Sequence, residues 1–505
     1  MPRNAALDRA QKRGARKCRA NLIGGTALLL VLGACKVGPE YARPSSATPE
    51  SFRDAGAVGE AASVADRPWW EVFDDPKLTA LIDQALSSNL DLRIATLRLE
   101  QVRFVREQVR SPLYPQVGYG GGVSRGRNEF LGGLSPDGGN TESKAMVDLN
   151  VFWEIDLWGR VQRADEAALA EILAVEEARR GITLSLVSEV AAAYFQLVGF
   201  DDQIAIARRS AKSFAESEQL FHDRAEGGIS SDLPVLRAKA LRATASASIP
   251  DFERRIAQLE NAICLLLGEA PHALERSTAP RVRPPEVPVG IPSELLERRP
   301  DIRAVEAELR AASARIGVAE ADFFPRLGLT AALGKVTPEL DAFTSGATNA
   351  WSVAAGLSGP IFQGGRLTAQ LNQAKAAFEE SATRYERSVL ISLGEVADTL
   401  VDRSTLIEIE DWFGLEVTAL SSAVELSRER YDAGRASYFE ILDSQQQLFP
   451  AEAGLSTSRT EQFLAYVRLY RALGGGWNLG DEWHSTAERR GPAATLESSP
   501  PAVGG

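Results

Sequence analysis

The stretch "EADFFPRLGL", residues 320–329, places two aromatic side chains and a proline directly before an alternating run of apolar residues. A near-copy, "RSPLYPQVGY", occupies residues 110–119, and the two prolines, Pro325 and Pro115, are 210 residues apart. The coincidence raises the question of whether the whole chain contains one structural unit twice.

Other segments repeat with almost the same spacing. At the offset of 210, "DLRIATLRL" (91–99) aligns with "DIRAVEAEL" (301–309). At an offset of 206, three more pairs align: "WGRV" (158–161) with "GGRL" (364–367), "EVAAAY" (189–194) with "EVADTL" (395–400), and "RAEGGISSDLPVL" (224–236) with "RYDAGRASYFEIL" (430–442). Ungapped matches with one small change of spacing indicate an internal duplication.

Segments with a period of two follow each proline. In the first copy Val147, Leu149 and Val151 alternate with polar residues, and in the second Val353 and Leu357 belong to a similar series. Such alternation gives a strand one apolar face and one small or polar face. Glycine-rich connectors separate the members of each pair, so the sequence predicts two hairpins with strands at Gln116–Phe130, Ser143–Ile155, Arg326–Lys335 and Ala350–Phe362.

Aromatic residues cluster at corresponding ends of these strands. They are Tyr114, Trp153 and Trp158 in the first copy and Phe323, Phe324 and Phe362 in the second. An aromatic girdle at a membrane interface has this pattern. The alternative is a soluble hairpin with buried aromatic side chains.

Long helical segments follow each hairpin and favour the membrane interpretation. Residues 365–433 contain no proline, and their apolar residues recur at steps of three and four. A helix of these 69 residues would be roughly 100 Å long, which suits a tube or stalk better than a globular domain. Residues 159–227 form a matching stretch; Gly434 and Gly228 are predicted to end the two helices, and a second helix to return from 437 to about 472 with a kink near Pro450.

Four strands in one chain cannot close a barrel, and open sheet edges are not tolerated in lipid. Three chains would supply twelve strands, so the sequence predicts a homotrimer.

The N-terminus has the layout of a secretory signal. Basic residues precede a short apolar run, residues 22–32, that ends in "LGAC". Cys35 at the cleavage point resembles a bacterial lipobox, which implies cleavage before Cys35 and its acylation, with palmitate as one expected acyl group. In many Gram-negative lipoproteins an aspartate directly after the acylated cysteine means retention in the inner membrane. Here Lys36 holds that position, which indicates an outer-membrane destination. A plain signal peptide with an incidental cysteine is the alternative.

Charge and cysteine content narrow the function. Net charge is −12, and loss of residues 1–34 would remove seven Lys/Arg and one Asp, leaving −18. An acidic chain of this kind has no nucleic-acid footprint. Cys264, in "AICLLLG", would be the one remaining unacylated cysteine, and we expect it to be a small buried hydrophobic residue.

Several motifs resemble one protein family closely. They are "IPSELLERRPDIRAVEAELRAASARIGVAEADFFPRLGLTAALG", "GPIFQGGRL" and "VRLYRALGGGW", within a similarity that runs from Cys35 to Trp477. The chain resembles TolC-like outer-membrane factors of the lipoprotein (NodT) branch, which serve resistance-nodulation-division efflux pumps. The resemblance implies an α+β membrane protein: a trimeric duct with a twelve-stranded outer-membrane β-barrel, continuous with a long periplasmic α-helical barrel.

The same resemblance implies the function and partners. It implies a passive channel that exports small toxic molecules, works with a periplasmic adaptor and an inner-membrane pump, and needs no cofactor beyond the lipid on Cys35. We divide the chain into a signal peptide (1–34), a lipidated tether (35–66), a first repeat (67–270), a linker (271–292), a second repeat (293–480) and a disordered tail (481–505).

The resemblance also indicates a gate at the periplasmic tip. Tyr431, near the turn at Gly434, matches a position that helps to hold the tip closed, and Glu440 and Asp443 match acidic positions that narrow the lumen. These two acidic residues are three apart and share a helix face. Ser437 followed by Glu440 also fits a capping box, which would explain Glu440 without a gate.

Three other functions are alternatives for this chain. An enzyme has little support, because His222, His272 and His484 are scattered and no paired metal-ligand motif or nucleophile elbow is present. A lipid-anchored periplasmic adaptor would not need the hairpins with their aromatic ends. A duct for type I protein secretion is the third alternative.

Overall fold

The computed structural model describes residues 36–44, 69–127, 141–277, 295–337 and 348–475, with the single residues 49, 52 and 283. The signal peptide, Cys35 and the tail at 481–505 lie outside these residues, and the tether and linker are described only in part. After a 3-10 helix at Trp69–Phe73, the elements are α1 (Pro76–Ser88), α2 (Leu90–Arg110), a 3-10 helix at Ser111–Leu113, β1 (Gln116–Arg127), β2 (Thr141–Ile155), α3 (Arg160–Glu226), α4 (Leu233–Leu266), α5 (Leu295–Arg298), α6 (Pro300–Ala321), β3 (Arg326–Thr337), β4 (Thr348–Ser358), α7 (Arg366–Asp432) and α8 (Tyr438–Ala472).

The two long helices are confirmed at nearly their predicted lengths. Helices α3 and α7 have 67 residues each, which corresponds to about 100 Å. After α3 the chain reverses at Gly228, which has a φ of 73°, and the amide of Ile229 donates to the carbonyl of Arg224 at 3.0 Å. After α7, Gly434 has a φ of 70° and the amide of Arg435 donates to Arg430 at 2.8 Å. Glycine accepts this left-handed conformation without a Cβ clash, so the glycines end both helices.

Strands β1 to β4 form one antiparallel sheet in chain order. The central pairing, β2 with β3, joins the two copies of the duplication, from Ala145 opposite Thr337 to Ile155 opposite Leu327. Strands β1 and β4 are the edges of this sheet.

The predicted end of the fourth strand is wrong. We expected it to reach Phe362, but β4 ends at Ser358. Pro360, two residues further on, has no amide hydrogen to donate to a ladder. The adjacent Gly359 lies so close to Pro325 that an added Cβ would be 2.9 Å from the Pro325 Cα. Phe362 therefore lies beyond the strand.

The chain forms two compact units. One comprises Met1–Ser45, Leu99–Val175 and Val305–Tyr385 and contains the sheet. The other comprises Ser46–Arg98, Glu176–Ala304 and Glu386–Gly505. Each unit contains segments from both copies of the duplication. The predicted repeat boundaries therefore mark the two copies in the sequence and do not coincide with the two compact units.

The second unit has an aromatic core. Tyr194 on α3 and Tyr466 and Tyr470 on α8 are each no more than 2% exposed. Phe195 stacks on Phe463 with ring centroids 4.9 Å apart. Burial of each such side chain contributes roughly 1.5–3 kcal/mol. Among the described helices α3 also contains a window that by length and composition could cross a membrane, but half of that window is buried within the chain, as core packing requires.

Candidate functional site

The sheet has one continuous apolar face. Directly paired residues of an antiparallel sheet point to the same side, so the register defines each face. On one side the strands carry Val117, Tyr119 and Val123 of β1, Val147, Leu149, Val151 and Trp153 of β2, Leu327, Leu329, Ala331 and Leu333 of β3, and Trp351, Val353, Ala355 and Leu357 of β4. Many of these side chains are exposed, among them Tyr119 at 88% and Trp351 at 76%. Such a continuous exposed patch marks a surface that another apolar phase covers.

The opposite face is built mostly from small and polar residues, and its large apolar members are Phe152, Met146 and Val336. Its members include Gln116, Gly118, Gly120, Gly122 and Ser124 of β1, Asp148, Asn150, Phe152 and Glu154 of β2, Thr330, Ala332 and Gly334 of β3, and Ala350, Ser352, Ala354 and Gly356 of β4. Four strands therefore have the two-faced pattern of a membrane barrel wall.

Glycines on this small and polar face accommodate the two polar side chains of β2. An added Cβ at Gly118 would be 2.8 Å from Asn150 Oδ1, and one at Gly120 would be 2.9 Å from Asp148 Oδ1. On the other side of β2, a Cβ at Gly334 would be 2.3 Å from the Val147 carbonyl oxygen. Asp148 and Asn150, whose side chains are joined by a 3.2 Å hydrogen bond, lie over the glycines of the neighbouring strands.

The six predicted aromatic residues lie at the end of the sheet where the helices attach. Trp158 stacks on Phe324 with ring centroids 4.7 Å apart, and its Nε1 donates to the Pro325 carbonyl at 2.7 Å. Trp153 donates to the Leu113 carbonyl at 3.0 Å. Tyr114, Phe323, Phe324 and Phe362 are exposed, Phe362 at 88%, and are thus the members free to meet a membrane interface.

The segment that follows Cys35 is bound to the same compact unit. The Val37 amide donates to the Trp158 carbonyl at 3.1 Å. Arg163, 4% exposed, donates to the carbonyls of Val37 at 3.0 Å and Gly38 at 2.9 Å. Gly38 has a φ of 104°, and an added Cβ would meet the Gly317 Cα at 2.4 Å. The sequence predicts a tether here but not its attachment beside Trp158.

Glu306 fixes the other end of this segment. This 3% exposed residue accepts hydrogen bonds from Arg43 and, at 3.2 Å, from the Tyr41 hydroxyl, and it pairs with Arg310 at 2.7 Å. Burial would raise the pKa of Glu306, but the hydrogen bonds from Arg43 and Arg310 hold it below its usual value. Burial, together with the Glu306 charge, raises the pKa of Tyr41 to about 12.

The predicted gate residue Tyr431 lies inside an aromatic cluster of the second unit. It is 8% exposed, and its ring is 5.9 Å from Phe221 at 89°. The Arg224 guanidinium lies 4.1 Å above the ring centroid. Phe221 and Arg224 belong to α3, so the two helical turns of one chain meet at Tyr431.

The two predicted acidic residues have different surroundings. Glu440 lies 3.3 Å from Arg430 Nε, whereas Asp443 is exposed and accepts a 2.9 Å hydrogen bond from Gln447. The capping box is wrong, because the Ser437 side chain makes no capping hydrogen bond. Glu440 is thus paired with Arg430, which leaves Asp443 as the acidic side chain of the two without a described cation.

Among the described residues there is no group of three His, Cys, Asp or Glu side chains that could hold a metal ion. Cys264 is buried, as expected, and its sulfur is 3.4 Å from His272 Nδ1. This contact was not predicted, since a spacing of eight residues across a helix end carries no recognisable pattern.

A two-faced sheet whose edge strands have no partner among the described residues, joined to helices of about 100 Å, defines a subunit of an outer-membrane channel. The family model described as "Outer membrane efflux protein" matches residues 81–269 and 291–475. The chain belongs to that family, and the resemblance to TolC-like outer-membrane factors is confirmed.

Relatives extend over almost the whole chain. It is 35% identical over 466 residues to the solvent efflux pump outer membrane protein SrpC of Pseudomonas putida, covering 89% of this chain and 97% of the relative. It is 35% identical over 483 residues to the outer membrane protein OprJ of Pseudomonas aeruginosa, covering 94% and 99%. The solved structure of the outer-membrane channel OprN has a TM-score of 0.82 and 32% identity, covering 88% of this chain and 100% of that one. The chain is an efflux channel of the outer membrane with a TolC-like fold and a large periplasmic portion.

Proposed function

We propose that three copies of the chain assemble into a passive duct that carries small toxic molecules from a periplasmic adaptor and an inner-membrane resistance-nodulation-division pump to the outside. The observation that carries the proposal is the continuous apolar face on a sheet whose two edges, β1 and β4, lack a partner within the described chain. In lipid such edges must be paired, and three four-stranded sheets close one barrel of twelve strands.

The lining follows from the same arrangement. With the apolar face toward lipid, the glycines, serines and alanines of the other face line the lumen and leave it wide. A lumen of this kind selects weakly by chemistry, so specificity belongs to the pump. The similarity to SrpC, the outer membrane protein of a solvent efflux pump, favours small-molecule cargo over secreted protein.

Two further features belong to this proposal. Acylation of Cys35 would attach the N-terminus to the membrane, and the binding of residues 36–38 beside Trp158 supports a position near the membrane interface. Tyr431, Gly434, Glu440 and Asp443 would form a periplasmic gate, in which Tyr431 acts through the contacts of its own chain. The duct would require no catalytic residue and no cofactor other than lipid.

Charge placed on alternate faces of β4 tests the proposal. Val353 and Ser352 are neighbours on opposite faces and both are exposed in the single chain. Arginine on the lipid face near the middle of a membrane barrel costs about 2–4 kcal/mol, whereas a lumen position tolerates it. Val353→Arg should lower outer-membrane insertion and toxic-compound resistance in a strain that keeps the pump and adaptor but lacks its own channel.

Ser352→Arg is the matched control and should retain insertion, resistance and conductance in planar bilayers. Equal tolerance of both substitutions would refute a membrane-facing sheet, and full insertion without restored resistance would refute the efflux assignment.

A further inference from the structure

The apolar face of the sheet carries a basic residue at the same place in each copy of the duplication. Arg125 on β1 and Lys335 on β3 are 210 residues apart, the offset that aligns Pro115 with Pro325. Both side chains are exposed, and neither makes a hydrogen bond or ion pair with another described residue. They are the charged side chains of this face within the residues whose side chains are described.

Their depth matches the height of a membrane band. Val117 and Leu327 are the first face residues of β1 and β3 beyond the aromatic end, and Arg125 and Lys335 each follow eight residues later. Eight strand residues span about 27 Å along the strand, which at a barrel tilt of about 35–45° is roughly 20 Å of height. This is most of the roughly 25 Å apolar band of outer-membrane barrels, and the long side chains reach the remaining few ångströms. The two cations therefore lie at the far edge of the band, opposite the aromatic end.

The strand register gives them one common height. On β2, Arg125 pairs with Ser143 and Lys335 pairs with Val147, a stagger of four residues across two strands. Tilted barrel strands require a stagger of this kind, so equivalent residues of the two copies come to one level. In the proposed trimer they form one ring of six outward-facing cations.

Resting on the proposed function, we infer that Arg125 and Lys335 bind the phosphate groups of anionic lipids in the outer leaflet of the membrane. The helices occupy the periplasmic side, so this end of the sheet meets the outer leaflet. A cation here reaches the headgroup layer without crossing hydrocarbon, and phosphate is the anion at that depth. An arginine can hold a phosphate by two parallel hydrogen bonds, and a lysine by its charge.

The test is native mass spectrometry of the full-length protein, titrated with diphosphoryl lipid A and, separately, with phosphatidylcholine. The wild-type protein should retain lipid A in preference to phosphatidylcholine. Arg125→Gln combined with Lys335→Gln should weaken lipid A retention on the order of 10-fold and leave phosphatidylcholine unchanged. Lys212→Gln with Lys239→Gln removes the same charge from exposed helical positions and should change neither.

Exchange of the two cations, Arg125→Lys with Lys335→Arg, should keep lipid A binding, and it supplies an assembled variant if the double glutamine chain fails to assemble; its loss of binding would contradict the inference. Equal lipid A retention by wild type and the glutamine variant would overturn it, as would displacement of lipid A by inorganic phosphate at matched phosphate concentration. Conductance in planar bilayers distinguishes failure of this inference from failure of the proposed duct. If the duct proposal is wrong, wild type and the glutamine variant both lack conductance; if only the lipid inference is wrong, both conduct and bind lipid A equally.

Discussion

Glu410 shows how a single buried carboxylate joins separate parts of the second unit. It is 8% exposed and accepts hydrogen bonds from Arg283 at 2.7 Å, Arg459 at 3.0 Å and Gln462 at 2.9 Å. Burial would raise the pKa of Glu410, but these donors hold it below its usual value. Arg283 comes from the predicted linker, so Glu410 ties that segment to α7 and α8.

The depressed pKa makes the stability of this unit depend on pH. A carboxylate whose folded pKa is lowered stabilises the protein above its unfolded pKa of about 4.3, and this contribution is lost as pH falls through the folded pKa. Glu410→Gln should therefore reduce the free energy of unfolding at pH 7 by about 1–3 kcal/mol and lower the melting temperature accordingly. The difference in melting temperature between variant and wild type should shrink below about pH 4. Circular dichroism melts at both pH values measure it. Glu416→Gln, on an exposed part of α7, is the control, and a deficit independent of pH would contradict the assignment.

Lipid attachment is a second prediction at this scale. Cys35→Ser should abolish incorporation of a fatty-acid probe, because the residue supplies both the thiol and, after cleavage, the new amino terminus for acylation. Labelling is read in gels of membrane fractions, with Cys264→Ser as the control that should label like wild type. Persistent labelling of Cys35→Ser would rule out the lipobox.

At the scale of elements, the alternating residues made the strands predictable, and the glycines made the helix ends predictable. Both signals are local, since a strand face and a helix end each depend on residues within a few positions. The attachment of residues 36–43 to Arg163 and Glu306, and the Arg224 contact with Tyr431, could not be predicted. The contacting residues are 125 to 265 positions apart in the chain for the attached segment, and 207 positions apart for Arg224 and Tyr431. A single sequence carries no signal for such distant pairs.

The close approach of β2 and β3 yields a prediction for the sheet. A Cβ at Gly334 would lie 2.8 Å from the Asp148 Cα and closer still to the Val147 carbonyl oxygen, whereas one at Gly356 on β4 meets nothing within 4 Å. Backbone atoms cannot rotate away, so Gly334→Ala should destabilise the assembled sheet by about 1–3 kcal/mol. Heat-dependent migration in gels of the membrane-inserted protein gives the measurement. Gly356→Ala should migrate as wild type, and equal behaviour of the two variants would contradict the register.

The tip hairpin yields another prediction. Because Glu440 is paired with Arg430 and Asp443 is not paired with a described cation, we expect Asp443 to carry most of any cation preference in the lumen. Asp443→Ala should reduce cation selectivity and block by trivalent cations in single-channel recordings more than Glu440→Ala does. Unchanged selectivity in the double variant, together with a lower melting temperature, would show that these residues only support α8.

For the whole molecule, the number of strands in each chain determines how many chains are needed to close a barrel. The described residues of one chain contribute four strands, and the two edge strands have no partner among these residues, so the purified protein should be a detergent-soluble trimer with the β content of twelve paired strands. Native mass spectrometry and light scattering measure the stoichiometry. A stable monomer with full β content would contradict barrel closure by three chains.

The pairing of β2 with β3 also fixes an order of events during biogenesis. Their partners are separated by 172 to 192 residues, from Ile155 with Leu327 to Ala145 with Thr337. At ordinary synthesis rates, on the order of 10–40 s pass between the emergence of the first hairpin and that of its partner. A two-stranded hairpin is at best marginally stable alone, and this one exposes an apolar face. The apolar face of the first hairpin therefore has to be kept from aggregating until its partner strand is available, and chains truncated before β3 should accumulate in the periplasm as protease-sensitive, aggregation-prone intermediates.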